Sequence, residues 1–338
     1  MNDRVEQAVS GGLHFLFEQQ LPDGEFPAYV SPDERMAQDC ELDSTPFVTA
    51  MVVYSLGFVP GEKAQALKHK ALRFLRAEME GPGLWRYWTS KNPKHRLIPI
   101  DLDDTCCASF ALAQNGEPFP SNVDILLANR NQQGLFYTWL LPRRRLLLRP
   151  AAWWAMRWEI LLFPLRRQFW QLAEATPGDV DCVVNANTLL YLGENEMTRP
   201  VVEELRRCIV DQQEADCDKW YLKALSFYYM LSRAYFNGVV GVGPTRSAIV
   251  ERLARVAHDD GGFGNALDTA LAVCSLLNLD GPAPLIEAAI ARLMAQQGDN
   301  GAWPSHPLYW GGPKKVYGWG SEALTTALCV EALAHYRA

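Results

Sequence analysis

The sequence predicts an all-α fold in which paired helices close into a ring, an (α/α)6 toroid that spans residues 1–338 as a single domain. Two patterns that repeat along the chain lead to this prediction. One is a turn that contains glycine and an aromatic residue, and the other is a helix that begins with small polar residues. Alternation of apolar and polar residues, which would indicate strands, is almost absent. An irregular helical bundle or an open solenoid is the alternative.

The repeated turn follows a predicted helix each time. Clear copies span residues 20–26, 130–136 and 297–303, and looser copies span 79–85 and 258–263. Glycine permits the positive φ that ends a helix and reverses the chain, and a preceding Asp or Asn favours the same turn. The aromatic residue that follows can then fill the gap between neighbouring helices.

The repeated helix follows the turn and opens with a small polar residue before an apolar run. Its copies begin at residues 42–45, 103–105, 186–188, 267–269 and 324–326. Small side chains on these helices allow close approach of their neighbours. Amphipathic segments at 64–79, 201–212 and 284–296 have apolar positions at helical spacing, so they are predicted to be the second helix of each pair.

Composition and charge exclude several classes of protein. Hydrophobic residues make up 49% and charged residues 21% of the chain, as in globular proteins. The net charge of −7 and the absence of a basic run longer than 143–145 argue against a nucleic-acid partner. The N-terminus lacks the pattern of a secretory signal and no apolar stretch would span a bilayer, so we expect a cytoplasmic protein. The 8 cysteines form no CxxC pair, which favours reduced core thiols over disulfides or a metal cluster.

The run Asp101-Leu102-Asp103-Asp104-Thr105 is the strongest candidate for chemistry. Mutual repulsion prevents three adjacent carboxyl groups from all ionising, so one keeps its proton near neutral pH. In the self-alignment, Asp103 replaces an apolar residue of other copies, which carry Ala186, Leu267 and Leu324. Asp104 instead matches polar residues, namely Ser44, Asn187, Asp268 and Thr325. An acid in an apolar position has an energetic cost and suggests a function, although helix capping is the alternative.

The repeated turn and the Asp-x-Asp-Asp-Thr run resemble those of the class II terpene cyclases and squalene–hopene cyclases, whose helical toroid is shared by protein prenyltransferases. The resemblance implies that an isoprenoid alkene is protonated to start cyclisation through carbocations. It implies that Asp103 donates the proton, with Asp101 and Asp104 as hydrogen-bonding neighbours. Class II cyclases usually have two toroids, whereas this chain has room for one. Farnesyl or geranylgeranyl diphosphate, or a linear triterpene, would be the substrate.

Candidate substrate-binding residues lie near the repeated turns. A cationic intermediate needs a dry cavity lined by aromatic faces, and the candidates are Trp85, Trp88, Trp303, Trp310, Tyr317 and Trp319. A diphosphate would need basic residues at the mouth of the ring. Lys314 with Lys315 is one choice, and Arg143 in the basic run is the other.

An acidic cluster precedes the first repeated helix. Asp39, Glu41 and Asp43 nearly copy the later Asp-rich run, so they are candidates to hold Mg²⁺ with a diphosphate. Helix capping is again the alternative. No zinc ion is expected. A zinc prenyltransferase would need an Asp-x-Cys pair and a distant His, and Asp104-Thr105-Cys106 has no His between His95 and His258.

An apolar, Arg-rich insertion interrupts the repeat at about 137–176. Tryptophan, leucine and flanking arginine are typical of a helix that lies on a membrane surface. Residues 139–170 could therefore form a peripheral contact with the inner membrane surface, a homodimer interface or a lid over the ring. Besides the cyclase and prenyltransferase readings, a non-catalytic protein that binds isoprenoids is the remaining hypothesis.

Overall fold

Helices dominate the computed structural model, which describes residues 2–148 and 150–337. In chain order the helices are α1 (Asn2–Gln19), α2 (Pro46–Ser55), α3 (Glu62–Ala77), α4 (Leu102–Gln114), α5 (Val123–Ala128), α6 (Pro150–Ala155), α7 (Arg157–Leu162), α8 (Arg167–Leu172), α9 (Cys182–Leu192), α10 (Arg199–Val210), α11 (Ala224–Phe236), α12 (Arg246–Val256), α13 (Ala266–Asn278), α14 (Ala283–Gln296) and α15 (Glu322–Arg337). The strands are β1 (Tyr29–Ser31), β2 (Glu41–Leu42), β3 (Ile100–Asp101), β4 (Trp139–Leu140), β5 (Tyr309–Gly311) and β6 (Tyr317–Gly320).

Within the described residues, α2, α4, α9, α11, α13 and α15 form an inner ring. Each packs against the next, and the ring closes because α15 also packs against α2. Helices α1, α3, α10, α12 and α14 pack against the inner helices from outside, and their exposed polar faces fit that position. Between α4 and α9 the outer helix is the short α5. Asn122, which precedes α5, hydrogen-bonds to Ser109 of α4 and Tyr191 of α9. The predicted (α/α)6 toroid is confirmed.

The repeated turns join the outer helices to the inner ones, as predicted. Gly24 has a φ of +101°, and a Cβ there would lie 2.2 Å from the carbonyl oxygen of Lys70, so glycine is required. The side chain of Gln20 donates to the carbonyls of Gly24 and of Leu67 in α3. Gln297 makes the matching bonds near α1. In these two turns the glutamine therefore ties the turn to the neighbouring outer helix.

The hydrogen bonds of the turns define the true register of the repeat. In each copy the backbone N–H of the aromatic residue donates to one side chain of the following inner helix. These acceptors are Thr49, Thr105, Asn185, Thr269 and Thr326. The self-alignment was therefore right for three copies, but it was wrong by four residues at Thr45 and by three at Thr188. It failed there because small polar residues occur at several positions of the inner helices.

In the corrected register, Asp103 is the acidic exception among apolar residues. Its counterparts are Phe47, Val183, Leu267 and Leu324. Asp101 falls at the residue before the helix. In the same position Thr45 and Asn265 cap α2 and α13, and Asp181 precedes α9 without a capping hydrogen bond. The counterparts of Asp104 are Val48, Val184, Asp268 and Thr325. Two of them are apolar, so the prediction that this position is regularly polar was wrong. The special position of Asp103 becomes clearer than the sequence indicated.

A small antiparallel sheet at the end of the ring was not predicted. Its strand order is β2-β1-β6-β5, and it joins the segments that precede α2 and α15. A separate pair, β3 with β4, ends at Asp101. These strands have two to four residues each, too few to give a recognisable alternation. They matter because they carry side chains that face the aspartates.

The insertion contains β4, α6, α7 and α8 and is anchored by buried charges. Glu159 of α7 pairs with Arg86 at 2.5 Å and with Arg166 at 2.6 Å, and all three side chains are buried. A second small core joins Trp139 and Ala175 to Phe169 and Trp170 of α8. Other apolar side chains of the insertion are exposed: Trp154, Trp158, Ile160, Leu161, Phe163, Leu165 and Leu172. None of the helices in the described parts of the chain combines the length and the hydropathy needed to cross a bilayer.

Candidate active site

Asp103 lies in the first turn of α4 and is 7% exposed. Its Oδ1 accepts a hydrogen bond of 2.6 Å from Nδ2 of Asn187 on α9. Its Oδ2 accepts one of 2.6 Å from the hydroxyl of Tyr221, which precedes α11. Both donors stabilise the charged form of the carboxyl group, while burial opposes it.

A buried arginine stands behind Asn187. The guanidinium of Arg233, on α11, donates to Oδ1 of Asn187 at 2.6 Å and is 1% exposed. It lies 4.7 Å from the ring centre of Tyr54 and 5.5 Å from that of Tyr229. Tyr229 in turn donates to Glu331 of α15 at 2.9 Å. A polar network thus links four inner helices to Asp103 through the amide of Asn187.

Asp101 and Asp104 flank Asp103 in different ways. Asp101 caps α4, because its Oδ1 accepts the backbone N–H of Asp103 at 2.7 Å. Asp104 is 2% exposed and accepts a long hydrogen bond from a side chain, 3.5 Å from the hydroxyl of Thr45. The two neighbours therefore have less hydrogen-bonding support from side chains than Asp103.

Burial raises the pKa of all three carboxyl groups above the ordinary value. The pKa of Asp101 and that of Asp104 are raised well above it, first by desolvation and then by the charges of the other aspartates. The pKa of Asp103 is also raised by desolvation, but Tyr221, Asn187 and the charge of Arg233 counteract the rise. An acid catalyst must hold its proton at rest and must be stabilised as a carboxylate afterwards. Of the three, Asp103 combines a raised pKa with the most hydrogen-bonding support for its carboxylate.

Aromatic rings extend from Asp103 towards the small sheet. The ring of Tyr221 lies 6.4 Å from that of Phe47 and 5.9 Å from that of Tyr309, measured between ring centres. Tyr309 of β5 stacks on Trp319 of β6 at 6.1 Å and lies 6.0 Å from Tyr87. These rings form a continuous wall beside the carboxyl groups. Their negative faces could stabilise a developing positive charge.

Asp43 belongs to this aromatic wall and not to an exposed acidic cluster. Its Oδ2 accepts hydrogen bonds from the indole of Trp319 at 2.7 Å, from that of Trp88 at 3.3 Å and from the hydroxyl of Tyr87 at 3.3 Å. Desolvation raises the pKa of Asp43 despite these donors. The carboxyl group orients the rings of the wall by holding their polar edges.

The predicted substrate-binding aromatics fall into separate groups. Trp310 and Trp319 lie in β5 and β6 of the small sheet, and Trp88 hydrogen-bonds to Asp43. Trp85 and Trp303 lie elsewhere, because their indole N–H groups donate to carbonyls of the outer helices, at Leu75 and Leu293. These two fill gaps between helices, so they are wrong as lining residues. Tyr317 lies at the start of β6, where its side chain is 40% exposed.

The basic candidates are also placed differently. Lys315 is half-buried, donates to the carbonyl of Ala173 at 3.1 Å and lies 3.6 Å from the ring centre of Trp220. Burial, with the neighbouring charge of Lys219, lowers the pKa of Lys315 to about 8. Lys314 is exposed. Arg143 donates to Asn129 and to the carbonyl of Pro177, so it holds the base of the insertion.

The predicted acidic metal site is not formed. Asp39 and Glu41 are exposed, and Asp43 is occupied by the aromatic donors. In the described parts of the chain, the group of ligand atoms that converges within 4.8 Å consists of cysteines distant from these residues in sequence. Asp104 and Cys106 are not in that group either. Cys106 is buried, with its thiol 3.6 Å from the hydroxyl of Thr188.

Sequence reasoning missed several residues that surround Asp103. Phe47, Tyr87, Tyr221 and Tyr309 were not singled out among the many aromatics, and Asn187 was attributed to the repeat. Arg233 and Glu331 had a usable signal, because each is a charged residue within an otherwise apolar inner helix. The reasoning that selected Asp103, an acid in an apolar position, would have selected them too.

Comparison with known proteins supports the fold. No protein-family model and no curated protein matches this sequence. Among solved structures, a protein from Actinoplanes aligns with a TM-score of 0.74 and 19% identity, covering 99% of this chain and 100% of that one. The type II terpene cyclase MstE from Scytonema aligns with a TM-score of 0.72 and 17% identity, covering 98% of both chains. A variant of MstE, solved in complex with its substrate geranylgeranyl dihydroxybenzoate, aligns with a TM-score of 0.71.

A longer enzyme is similar over part of its length. The ent-copalyl diphosphate synthase from Streptomyces platensis aligns with a TM-score of 0.53 and 22% identity, over 87% of this chain and 50% of that one. The sequence identities are low, so the likeness concerns the fold. This chain has the fold of the type II terpene cyclases, as the repeated turn and the Asp-rich run had suggested.

Proposed function

We propose that this protein is a class II-type terpene cyclase in which Asp103 protonates an alkene of an isoprenoid substrate. The observation that carries the proposal is the environment of Asp103. It is a buried acid in a position that is apolar in the other repeats, and two donors stabilise the carboxylate that remains after proton transfer. The likeness in fold to MstE supports the same class of reaction.

The reaction begins when the π electrons of the terminal alkene take the proton of Asp103. A tertiary carbocation forms, and the next alkene of the chain attacks it to close a ring. The aromatic wall around Tyr309 stabilises the positive charge and excludes water. Loss of a proton from the last cation ends the reaction, so the product is an isomer of the substrate. Asp103 is then protonated again for the next turnover.

We infer that the substrate is a prenyl diphosphate such as farnesyl or geranylgeranyl diphosphate. Burial, together with the charge of Lys219, lowers the pKa of Lys315, and an anionic group beside Lys315 would stabilise its ammonium group. Trp220, under Lys315, connects this position to the aromatic residues of the ring. Asp39 and Glu41 are exposed and Asp43 is held by Trp319, so we do not propose these residues as Mg²⁺ ligands.

The test is incubation of the purified protein with farnesyl diphosphate, geranylgeranyl diphosphate and squalene, each with and without Mg²⁺. We expect a cyclic product from a diphosphate and a loss of about 10²–10⁴-fold in kcat in Asp103→Asn, the usual contribution of a positioned general acid. Asp268→Asn is the matched control, since it removes an aspartate from the start of another inner helix. Undiminished product from Asp103→Asn would exclude this residue as the donor. Absence of turnover with all three substrates would favour the non-catalytic isoprenoid-binding protein.

A further inference from the structure

Three cysteines that are distant in sequence meet on the outer side of one helix pair. Cys182 is the first residue of inner helix α9, Cys208 lies in outer helix α10, and Cys217 lies in the loop that leads to α11. Their sulfur atoms lie within 4.8 Å of one another, and the pair Cys182 and Cys208 is separated by 4.0 Å. The backbone N–H of Cys182 donates to the carbonyl of Cys217 at 3.1 Å, which fixes the loop against the helix.

These distances suit a metal ion better than a disulfide. In a tetrahedral zinc site the Zn–S bond is about 2.3 Å, so neighbouring sulfurs are about 3.8 Å apart. A disulfide would need sulfurs about 2.05 Å apart, about half the observed separation of Cys182 and Cys208. The three thiols therefore need only small shifts to bind one ion.

The surroundings of the thiols also suit a cation. A cavity of about 360 Å³ adjoins them and is lined by Asp181, Glu204 and Asp216 among other residues. Glu204 is paired with Arg207, whereas Asp216 is exposed at the cavity wall. A fourth ligand, either water or a carboxylate, could reach the ion from this side. Three thiolates select a soft or borderline metal over Mg²⁺ or Ca²⁺.

We propose that Cys182, Cys208 and Cys217 bind one Zn²⁺ ion, with the fourth coordination position facing the cavity. Binding replaces the protons of the three thiols, which are released to solvent, and forms three Zn–S bonds without any change of oxidation state. The ion ties inner helix α9, outer helix α10 and the loop before α11 together. The proposal is independent of the cyclase activity, because the thiols take no part in the contacts of Asp103.

The experiment uses the full chain, purified with a non-thiol reductant from cells supplied with zinc. We expect one Zn²⁺ per chain by elemental analysis, and protection of three thiols from a thiol reagent until a chelator is added. Replacement of zinc by Co²⁺ should give the sulfur-to-cobalt charge-transfer absorption and the strong visible bands of a tetrahedral thiolate site. Cys208→Ala should bind zinc at least about 100-fold more weakly, since even loss of an outer-shell partner costs 10–100-fold.

The controls are two cysteines outside the cluster. Cys40 is exposed and Cys274 is buried, so Cys40→Ala and Cys274→Ala test a reactive thiol and a buried one. Both variants should keep one zinc per chain. Far-ultraviolet circular dichroism of Cys208→Ala distinguishes loss of the metal site from loss of the fold. The Co²⁺ spectrum is recorded on the unaltered protein, so it tests the site even if a variant fails to fold. Fully reduced protein without bound zinc, or equal zinc content in Cys208→Ala and Cys40→Ala, would overturn the proposal. A disulfide between Cys182 and Cys208 in the protein as isolated would overturn it too.

Discussion

The acidity of Asp103 depends on particular side chains that reach it across the ring. Tyr221 and Asn187 each donate a hydrogen bond of 2.6 Å to the carboxyl group, and Arg233 supports Asn187 from behind. They lower the free energy of the carboxylate, while burial raises it. The balance leaves the pKa of Asp103 raised above its ordinary value, but raised less than the pKa values of Asp101 and Asp104.

Tyr221→Phe should change the pH dependence of catalysis. In the proposed reaction the protonated form of Asp103 is the active one, so activity should fall as the pH rises through its pKa. Loss of the hydroxyl removes a hydrogen-bond donor to the carboxylate of Asp103, which raises its pKa further. The alkaline limb of the pH profile then moves to higher pH, and Asp103 becomes a weaker acid. We expect kcat to fall by about tenfold, the effect of about 1.4 kcal/mol. A pH profile of kcat checks this.

Tyr228→Phe is the control for this change, because its hydroxyl hydrogen-bonds to Glu214 away from the aspartates. It should leave the alkaline limb in place. An unshifted limb in Tyr221→Phe would show that Tyr221 has only a structural role.

Asp104→Asn should stabilise the protein at alkaline pH. The pKa of Asp104 is raised well above the ordinary value in the folded chain, by burial and by the neighbouring aspartates. A group with a raised folded pKa contributes its full stability at low pH and loses it as the pH rises through that pKa. Because the neutral amide has no such penalty, we expect a gain in the free energy of unfolding at pH 8 of about 1 kcal/mol, an ordinary single-substitution effect.

Denaturant unfolding of both proteins at pH 5 and pH 8 measures this difference. The gain should shrink at pH 5, because a raised pKa in the folded chain costs less stability as the pH approaches the ordinary value. A gain of equal size at both values would mean that packing, and not charge, explains the effect.

At the level of elements, the insertion depends on one buried carboxylate. Glu159 pairs with Arg86 of the ring and Arg166 of the insertion. Removing one partner of a buried ion pair leaves uncompensated charge and costs about 3–5 kcal/mol. We expect Glu159→Gln to lower the free energy of unfolding by this order and to make residues 150–172 sensitive to limited proteolysis.

Glu80→Gln is the matched control, because Glu80 also pairs with Arg86 but its side chain is 33% exposed. Solvent replaces much of that interaction, so the control should cost less than about 1 kcal/mol. Equal effects of the two substitutions would contradict the anchoring role of Glu159.

The loop between β5 and β6 should recognise the anionic group of the substrate. Lys315 in this loop is half-buried against Trp220, and its exposed neighbour Lys314 provides the control. We expect Lys315→Ala to raise KM for a prenyl diphosphate by about tenfold, the loss of about 1.4 kcal/mol of binding, with kcat little changed. Lys314→Ala should leave KM within twofold of the unaltered protein, a difference of about 0.4 kcal/mol. A similar rise in both variants would argue against a phosphate site at Lys315.

For the whole molecule, we propose that the exposed apolar side chains of the insertion contact an anionic membrane surface. Trp154 and Leu161 are 60% and 63% exposed, and Arg157 and Arg167 lie exposed beside them. Apolar groups that enter the headgroup region and basic groups that meet anionic lipids are the components of such a contact. A hydrophobic substrate could then enter the ring from the bilayer.

Sedimentation with vesicles tests the contact. The protein should bind vesicles of phosphatidylglycerol and phosphatidylcholine, and Leu161→Ser should weaken binding several-fold. Val210→Ser is the control, because Val210 is 73% exposed on α10, outside the insertion. Absence of binding, together with a concentration-dependent dimer that Leu161→Ser disrupts, would favour the homodimer interface.

The sequence by itself determined the helical ring and singled out the aspartate that we propose as the acid. Both depend on information that is local or repeated: glycine-containing turns, apolar helices and one aspartate in an apolar position. Turn residues and helix periodicity act over a few positions, so they can be recognised without the tertiary structure. Even the errors in register at Thr45 and Thr188 did not change this outcome.

Only the tertiary structure decided which residues surround that acid. Tyr221 is separated from Asp103 by 118 positions, and Asn187 by 84. The aromatic wall depends on strands of two to four residues, and the three thiols meet because a loop, an inner helix and an outer helix converge. Ring closure brings such residues together through the summed burial of many apolar side chains, and no local pattern records which pairs it places in contact. The sequence therefore pointed to Asp103, and the closed ring supplied the partners that set its acidity.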